Sequence, residues 1–263
     1  MKTIGMIGGI GPESTIDYYK RLLDGTRKRN PGGPAPSIII NSIDLQKGLD
    51  LLGANRLSEL TEYIVPEVLR LKGAGVDFGF LAANSPHIVF DDIARRSPIP
   101  LISIVEATCA EAKARGFKKL GLLGTRFTME GRFYPEVFAR ERIGLTVPRA
   151  EERDYVHDKY LNELIPGQFL PQTRDGLLAI ARRLRDEEGI EALILGGTEL
   201  PLILTDSGIL GIPYLDTTQI HVWGDSGVCG RAGTSYRGST RMSADQERLP
   251  KPLELEEQNL TAD

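Results

Sequence analysis

The feature that most constrains this chain is a repeat. Residues 75–87 read G-V-D-F-G-F-L-A-A-N-S-P-H, and residues 189–201 read G-I-E-A-L-I-L-G-G-T-E-L-P. In each copy a glycine closes a helix and an acidic residue follows. An apolar run of strand length comes next, then two small residues and a hydroxyl or amide. A second pair, K-T-I-G-M-I-G-G-I-G-P-E at 2–13 and K-K-L-G-L-L-G-T-R-F-T-M at 118–129, recurs at nearly the same separation. Two matched pairs at one spacing predict a duplicated strand-and-helix unit. In both halves the apolar strands end in small polar residues, and open α/β sheets bind ligands beyond the carboxyl ends of their strands. Two such edges facing each other make a cleft between two similar halves.

The elements between these marks follow from periodicity and punctuation. Residues 3–7 form a strand, 8–11 a glycine turn, and 12–29 a helix that opens on Pro12 and Glu13 and is stopped by N-P-G-G-P. Residues 37–42 are a buried-type strand and 43–55 a loop. Residues 56–72 carry Leu57, Leu60, Ile64, Val68 and Leu71 at helical spacing. A strand at 77–82 and a helix at 86–96 complete the first half. The second half is expected to hold helices at 105–115, 129–141, 151–164 and 171–188, strands at 120–123 and 191–195, and a short helix from Glu199. A last strand at 212–215 is expected to rejoin the first half, tied there by Asp216 and His221. Strands alternating with helices predict an α/β fold of two similar Rossmann-like parallel-sheet domains related by an internal repeat. Residues 1–104 plus 208–222 are assigned to the first domain, 105–207 to the second, and 223–263 to a disordered tail without apolar periodicity that folding does not need.

Composition limits the function classes. A net charge of −4 gives no general attraction to nucleic acid or an anionic membrane. No apolar run approaches the ~18 residues of a membrane span, and the glycine-rich start does not read as a signal segment. Cys109 and Cys229 are the only cysteines. They lie far apart without metal-ligand neighbours, so neither a disulfide scaffold nor a metal site is expected, and a cytoplasmic location is. Gly9-Ile10-Gly11 after a strand hints at a phosphate cradle. The third glycine of that motif falls on Ser14, however, and no acidic residue closes the next strand. The favoured reading is a tight turn, with Gly9 offering its N–H to a carboxylate.

Six stretches, taken together, are similar to the aspartate/glutamate racemases, the cofactor-independent amino-acid racemases. They are I-G-G-I-G-P-E-S-T at 7–15, A-N-S-P-H at 83–87, L-G-T-R-F-T-M at 123–129, H-D-K-Y-L-N-E-L at 157–164, L-G-G-T-E-L-P at 195–201 and L-D-T-T-Q-I-H at 215–221. The resemblance implies two α/β domains around a cleft, with one cysteine from each half flanking the substrate Cα, one thiol removing the proton and the other returning one on the opposite face. Here the family's C-N-T-A-H reads Ala83-Asn84-Ser85-Pro86-His87, and its G-C-T-E reads Gly196-Gly197-Thr198-Glu199. Both thiol positions are vacant, at Ala83 and Gly197, and neither Cys109 nor Cys229 stands in for them. Both replacements are smaller than cysteine, so a roomier cleft is expected.

By the same resemblance Asn84, Ser85 and Thr198 hold the substrate α-carboxylate, with Thr125 and Thr128 at the matching edge of the second half. His87 and Glu199 are the candidate proton-transfer groups. The plainer readings are strand-end capping for the hydroxyl and amide residues, a structural role for His87, and helix capping for Glu199. The loop 165–169 has none of the basic residues by which acidic-substrate members hold the substrate side chain. The expected function is isomerase-type chemistry at the α-carbon of a small amino or carboxylic acid, with no cofactor and no metal, and not by two thiols. Lyase, decarboxylase or cyclase chemistry on the same scaffold is the first alternative, and a non-catalytic carboxylate-binding protein the second. The expected partner is a small molecule, with no nucleic acid and no membrane, and a homodimer is kept as the expectation for assembly.

Overall fold

The computed structural model describes residues 2–224 and 227–233. In the first half, β1 (Ile4–Gly8) leads into α1 (Pro12–Arg29), followed by β2 (Ile38–Ser42), α2 (Leu45–Gly53), α3 (Leu57–Gly73) and β3 (Phe78–Leu81). A 3₁₀ turn (Ser85–Val89) then precedes α4 (Phe90–Arg96) and β4 (Leu101–Ile102). The second half runs α5 (Ile104–Ala114), β5 (Lys119–Gly124), α6 (Arg126–Glu130), α7 (Phe133–Arg140), β6 (Gly144–Thr146), α8 (Ala150–Lys159), α9 (Pro171–Glu188), β7 (Ala192–Gly196), α10 (Leu200–Ile203) and β8 (Tyr214–Asp216). Helices α11 (Thr217–Trp223) and α12 (Val228–Gly233) close the described chain.

The duplication is visible in the sheets. One has the order β2-β1-β3-β4 and the other β6-β5-β7-β8, all parallel. The central pairs are β1 with β3 and β5 with β7, the strands that carry the two repeats. Parallel strands covered on both faces need apolar side chains on both, and β1, β3 and β7 are buried along their whole lengths. On one face of the first sheet, Ile7 and Leu81 meet Leu60, Ile64, Val68 and Leu71 of α3. On the other, Ile4, Met6, Phe78 and Phe80 meet Tyr18 and Leu22 of α1. The α/β architecture of two similar halves is therefore as the sequence predicts.

Several local expectations are corrected. Residues 45–53, read as loop, form α2 because the Asp44 side chain accepts the N–H groups of Gln46 and Lys47 and so caps the first turn. The helix expected at 129–141 is two helices, broken where Gly131 turns extended (φ −69, ψ 149). The helix expected through 164 widens into a π turn at Tyr160–Leu164. The short edge strand β6 was not anticipated.

The last strand does not rejoin the first sheet. It pairs in parallel with β7, Leu193 opposite Tyr214 and Leu195 opposite Asp216, taking the edge that β4 takes on β3. What returns to the first half is the segment's polar groups and its helix. Asp216 pairs with Arg21 of α1 at 2.9 Å, and His221 is held between the Tyr18 hydroxyl (2.9 Å) and the Ile102 carbonyl (3.1 Å). Segment 208–222 is thus shared between the halves.

The tail begins later than expected. Trp223 Nε1 donates to the Arg21 carbonyl at 2.9 Å, and Val228 and Cys229 are buried in the cluster with Tyr18 and Leu22. Gly25 permits this approach, because a Cβ there would lie 3.0 Å from Cys229 Sγ. The rest of the expected tail, 234–263, lies outside the described residues.

Candidate active site

The carboxyl ends of β1, β3, β5 and β7 converge on one cavity between the halves. Its polar wall is made by Asn84 and Ser85 after β3, Thr125 after β5, Thr198 and Glu199 after β7, and Tyr160 from the π turn. The opposite wall is apolar, with Ile10, Ile43, Leu49, Leu52 and Ile165 among its residues. Asp44 and Glu199 are the carboxylates of the lining, and no Lys, Arg or His belongs to it.

The cavity measures about 40 Å³, room for a few waters by the usual requirement of about 10–15 Å³ each. At residue 197 the space that a roomier cleft would gain is taken up by another side chain. The ring of Tyr160 lies where a side chain on residue 197 would project: a Cβ on Gly197 would lie 2.6 Å from Tyr160 Oη and 2.7 Å from its Cζ.

Glu199 is the centre of the polar network. Its carboxyl group is buried and is met by three hydroxyls from three parts of the chain. Tyr160 donates to Oε2 in a short hydrogen bond, Thr198 Oγ1 donates to Oε2 at 3.0 Å, and Ser14 Oγ of α1 lies 3.1 Å from Oε1. The Glu199 N–H in turn donates to Tyr160 Oη at 3.3 Å. Burial raises the carboxyl pKa above its ordinary value, opposed by the hydrogen bonds from Tyr160, Thr198 and Ser14. Burial and the adjacent carboxylate push the Tyr160 phenol well up. Gly11, at φ 102, lets the backbone pass close to this carboxyl group, since a Cβ there would collide with Glu199 Oε1.

The other expected residues divide into those that reach the cavity and those that support it. Asn84 lines it, but its side chain is engaged: Oδ1 accepts from Tyr134 Oη at 2.7 Å and Nδ2 donates to Thr217 Oγ1 at 3.2 Å. Ser85 Oγ and Thr125 Oγ1 share a hydrogen bond of 2.9 Å across the two halves. Thr128 does not line the cavity; it is buried with its hydroxyl 3.4 Å from that of Thr125. Gly9 does not line it either, because its N–H donates to Thr15 Oγ1 at 2.8 Å and Ile10 takes its place at the wall.

His87 lies behind the wall. Its Nε2 accepts the Ile104 N–H at 3.2 Å, so the proton is on Nδ1, which donates to the Ala83 carbonyl at 3.0 Å. Its ring stacks on Phe90 at 4.7 Å. Burial, helped by the nearby His221, lowers its pKa to about 3. Both ring nitrogens of this neutral imidazole are held by backbone groups, which join the end of β3 to the start of α5.

Tyr160 is the residue that sequence reading missed. It sits in the H-D-K-Y-L-N-E-L stretch as one apolar-face residue among several. The π turn re-aims it, and such turns recur at functional sites. Periodicity does not reveal one, and the available signal was the small Gly197 in the G-G-T-E stretch. Among the described residues no set of three His, Cys, Asp or Glu side chains is placed to hold a metal.

Residues 7–224 match the Asp/Glu/hydantoin racemase family. The broad specificity amino-acid racemase RacX of Bacillus subtilis (strain 168) is 24% identical over 224 residues, covering 82% of this chain and 92% of that one. Among solved structures, an aspartate racemase homologue from Pyrococcus horikoshii OT3 aligns with a TM-score of 0.72 at 33% identity, over 84% of this chain and 96% of that chain. The glutamate racemase of Francisella tularensis subsp. tularensis SCHU S4, solved in complex with D-glutamate, shares the fold at a TM-score of 0.61 and 17% identity, over 83% and 77% of the two chains. The matched span takes in both sheets, apart from the first three residues of β1, and every wall of the cavity, and the chain belongs to the Asp/Glu/hydantoin racemase family.

Proposed function

We propose that this protein is an isomerase-type enzyme acting at the α-carbon of a small amino or carboxylic acid, by a route other than two thiols. The observation that supports the reading is the buried Glu199 carboxyl group, two residues from Gly197, on a cavity lined from both halves; by the resemblance Gly197 stands at the second thiol position. A carboxyl group whose pKa is raised by burial is suited to exchanging protons near neutral pH. The Ser85–Thr125 hydroxyl pair, one of whose two hydrogens is not used in their mutual bond, offers a neutral donor for a substrate carboxylate on the same wall, and Thr198 lines it with its hydroxyl on Glu199. With Asp44 and Glu199 as the charges of the lining, the substrate side chain is uncharged. Work without a cofactor, a cytoplasmic location and a homodimer belong to the same reading.

The test is α-proton exchange. The protein is incubated in deuterated water with a panel of amino acids and small carboxylic acids, and loss of the α-proton signal is followed by NMR. Exchange on one or more acids with uncharged side chains is the expected result. Saturable binding without exchange anywhere in the panel would instead make this a carboxylate-binding protein.

A further inference from the structure

We infer that Tyr160 and Glu199 form a single proton relay in place of the second thiol, so that the substrate α-carbon is deprotonated and reprotonated from the Gly197 side alone. This rests on the proposed proton transfer at the α-carbon and departs from its isomerase outcome, because a single face can label the carbon but cannot invert it.

Three observations place the relay. First, the phenol of Tyr160 stands where a side chain on residue 197 would project, so its hydroxyl is delivered to the face that the missing thiol would serve. Second, that hydroxyl is not a passive plug, since it donates to Glu199 Oε2 and lines the cavity together with Glu199. Third, Glu199 has a built place to store a proton. Ser14 Oγ lies 2.8 Å from the Gly11 carbonyl as well as 3.1 Å from Glu199 Oε1. A hydroxyl has one hydrogen to donate. Ser14 can donate it to Oε1 or turn it to the Gly11 carbonyl as the charge on Glu199 changes, while a proton received on Oε2 is donated back to Tyr160 Oη. Both charge states of Glu199 are therefore satisfied without moving the backbone.

In the step, the Cα–H bond breaks and its electron pair moves into the substrate carboxyl group as an enediolate. The proton bonds to Tyr160 Oη while the phenol's own proton passes to Glu199 Oε2. One negative charge leaves Glu199 and one appears on the substrate. Reversal returns a proton to the same face. The opposite face belongs to Ala83, and the titratable groups of the lining other than the relay are Asp44 and Tyr63. Tyr63 already donates its hydroxyl to the Asp44 carbonyl at 3.0 Å. His87 is fixed behind Ala83 with both nitrogens engaged. A relay with one face exchanges the α-proton without inverting the centre.

The experiment is deuterium exchange combined with chiral analysis, on the parent, Tyr160→Phe, Glu199→Gln and Glu199→Asp. The expected result is incorporation of one α-deuterium with retained configuration in the parent. Tyr160→Phe keeps the ring that fills the site and should lower the exchange rate by about 10²–10⁴-fold with little change in KM. Glu199→Gln should do the same, and Glu199→Asp should recover part of the rate with a shifted pH profile. A purely structural role for the pair would leave that profile where it was. Exchange at the parental rate in both Tyr160→Phe and Glu199→Gln overturns the relay and leaves the α-carbon chemistry standing. Racemic product overturns the single face. Absence of exchange in the parent overturns the functional reading, and the relay with it.

Discussion

The ring of Tyr160 occupies the space that a side chain on residue 197 would require, so a thiol at 197 and the Tyr160 ring in its present place cannot both be seated without a shift. Gly197 and Tyr160 thus form a packing pair. Returning a thiol by Gly197→Cys alone should overpack the site and cost about 1–3 kcal/mol. The double variant Gly197→Cys with Tyr160→Ala should recover much of what the two single changes lose. A double-mutant cycle in urea measures this directly, and additive effects would show that the two positions are not coupled.

Aspartate and glutamate should not be turned over. By the resemblance, Ala83 and Gly197 stand where the racemases carry their two thiols, and removing one acid or base typically costs 10²–10⁴-fold. The lining also offers a second substrate carboxylate no cation, and its two acidic residues, Asp44 and Glu199, would repel one. Polarimetry with L-aspartate and L-glutamate should show no change. Calorimetry should favour amino acids with uncharged, apolar side chains over the two acids. Turnover of either acid at about 1 per second or faster would mean that other groups do the work of both thiols.

Acid should weaken the fold through two histidines. His87 and His221 are buried and neutral, with pKa values lowered to about 3 and about 4 from an ordinary 6.5. Between pH 6.5 and these values the unfolded chain binds more protons than the folded one. The stability they contribute is therefore complete above pH 6.5 and is lost as pH falls toward 4, with a slope approaching 1.36 kcal/mol per pH unit for each. Glu199 acts in the opposite sense. Its raised pKa makes stability decline as pH rises from 4.5 through its folded value. Urea unfolding of the parent and of His221→Gln at pH 7 and pH 5 separates these terms. The penalty of the substitution should shrink by about 2 kcal/mol at pH 5, and a penalty independent of pH would rule out a neutral buried His221.

The fold was legible because its signals are local and doubled. Helix α1 begins at Pro12 and ends at Arg29 as the proline, the acidic first turn and the N-P-G-G-P stop require. Helix α9 ends where Gly189 takes the left-handed cap (φ 66). The strand ends at Asn84, Ser85, Thr125, Thr198 and Glu199 met because the duplication brings two equivalent sheet edges together. What was not legible depends on packing between distant segments. Tyr160 reaches Gly197 through a π turn, which hydrophobic periodicity does not encode. His87 reads as a free imidazole until the Ile104 N–H and the Ala83 carbonyl are seen on its two nitrogens. The last strand follows β7 because that sheet edge is open to it, and an apolar run of this length carries no mark of which edge it joins.

The first residues past Gly224 should matter to folding, contrary to the composition of that region. Val228 and Cys229 are buried against Tyr18 and Leu22, in a cluster that also includes Val222 and Trp223. Gly25 leaves α1 flat enough for Cys229 to approach. Fully burying a valine stabilises by about 1.5–3 kcal/mol, and ending the chain at Gly224 would also uncover the apolar face beneath. A loss of about 2–4 kcal/mol follows, and in a chain of this size each kcal/mol lowers Tm by about 2–4 °C. The truncated protein should therefore melt about 5–15 °C below the parent, whereas a chain ending at Gly233 keeps both side chains and should stay close to it. Trp223 is the sole tryptophan, and its indole N–H is held by the Arg21 carbonyl. Its fluorescence reports this corner directly and should shift to the red in the shorter chain alone. Equal melting temperatures and equal emission for the two truncations would show that α12 adds nothing to the core.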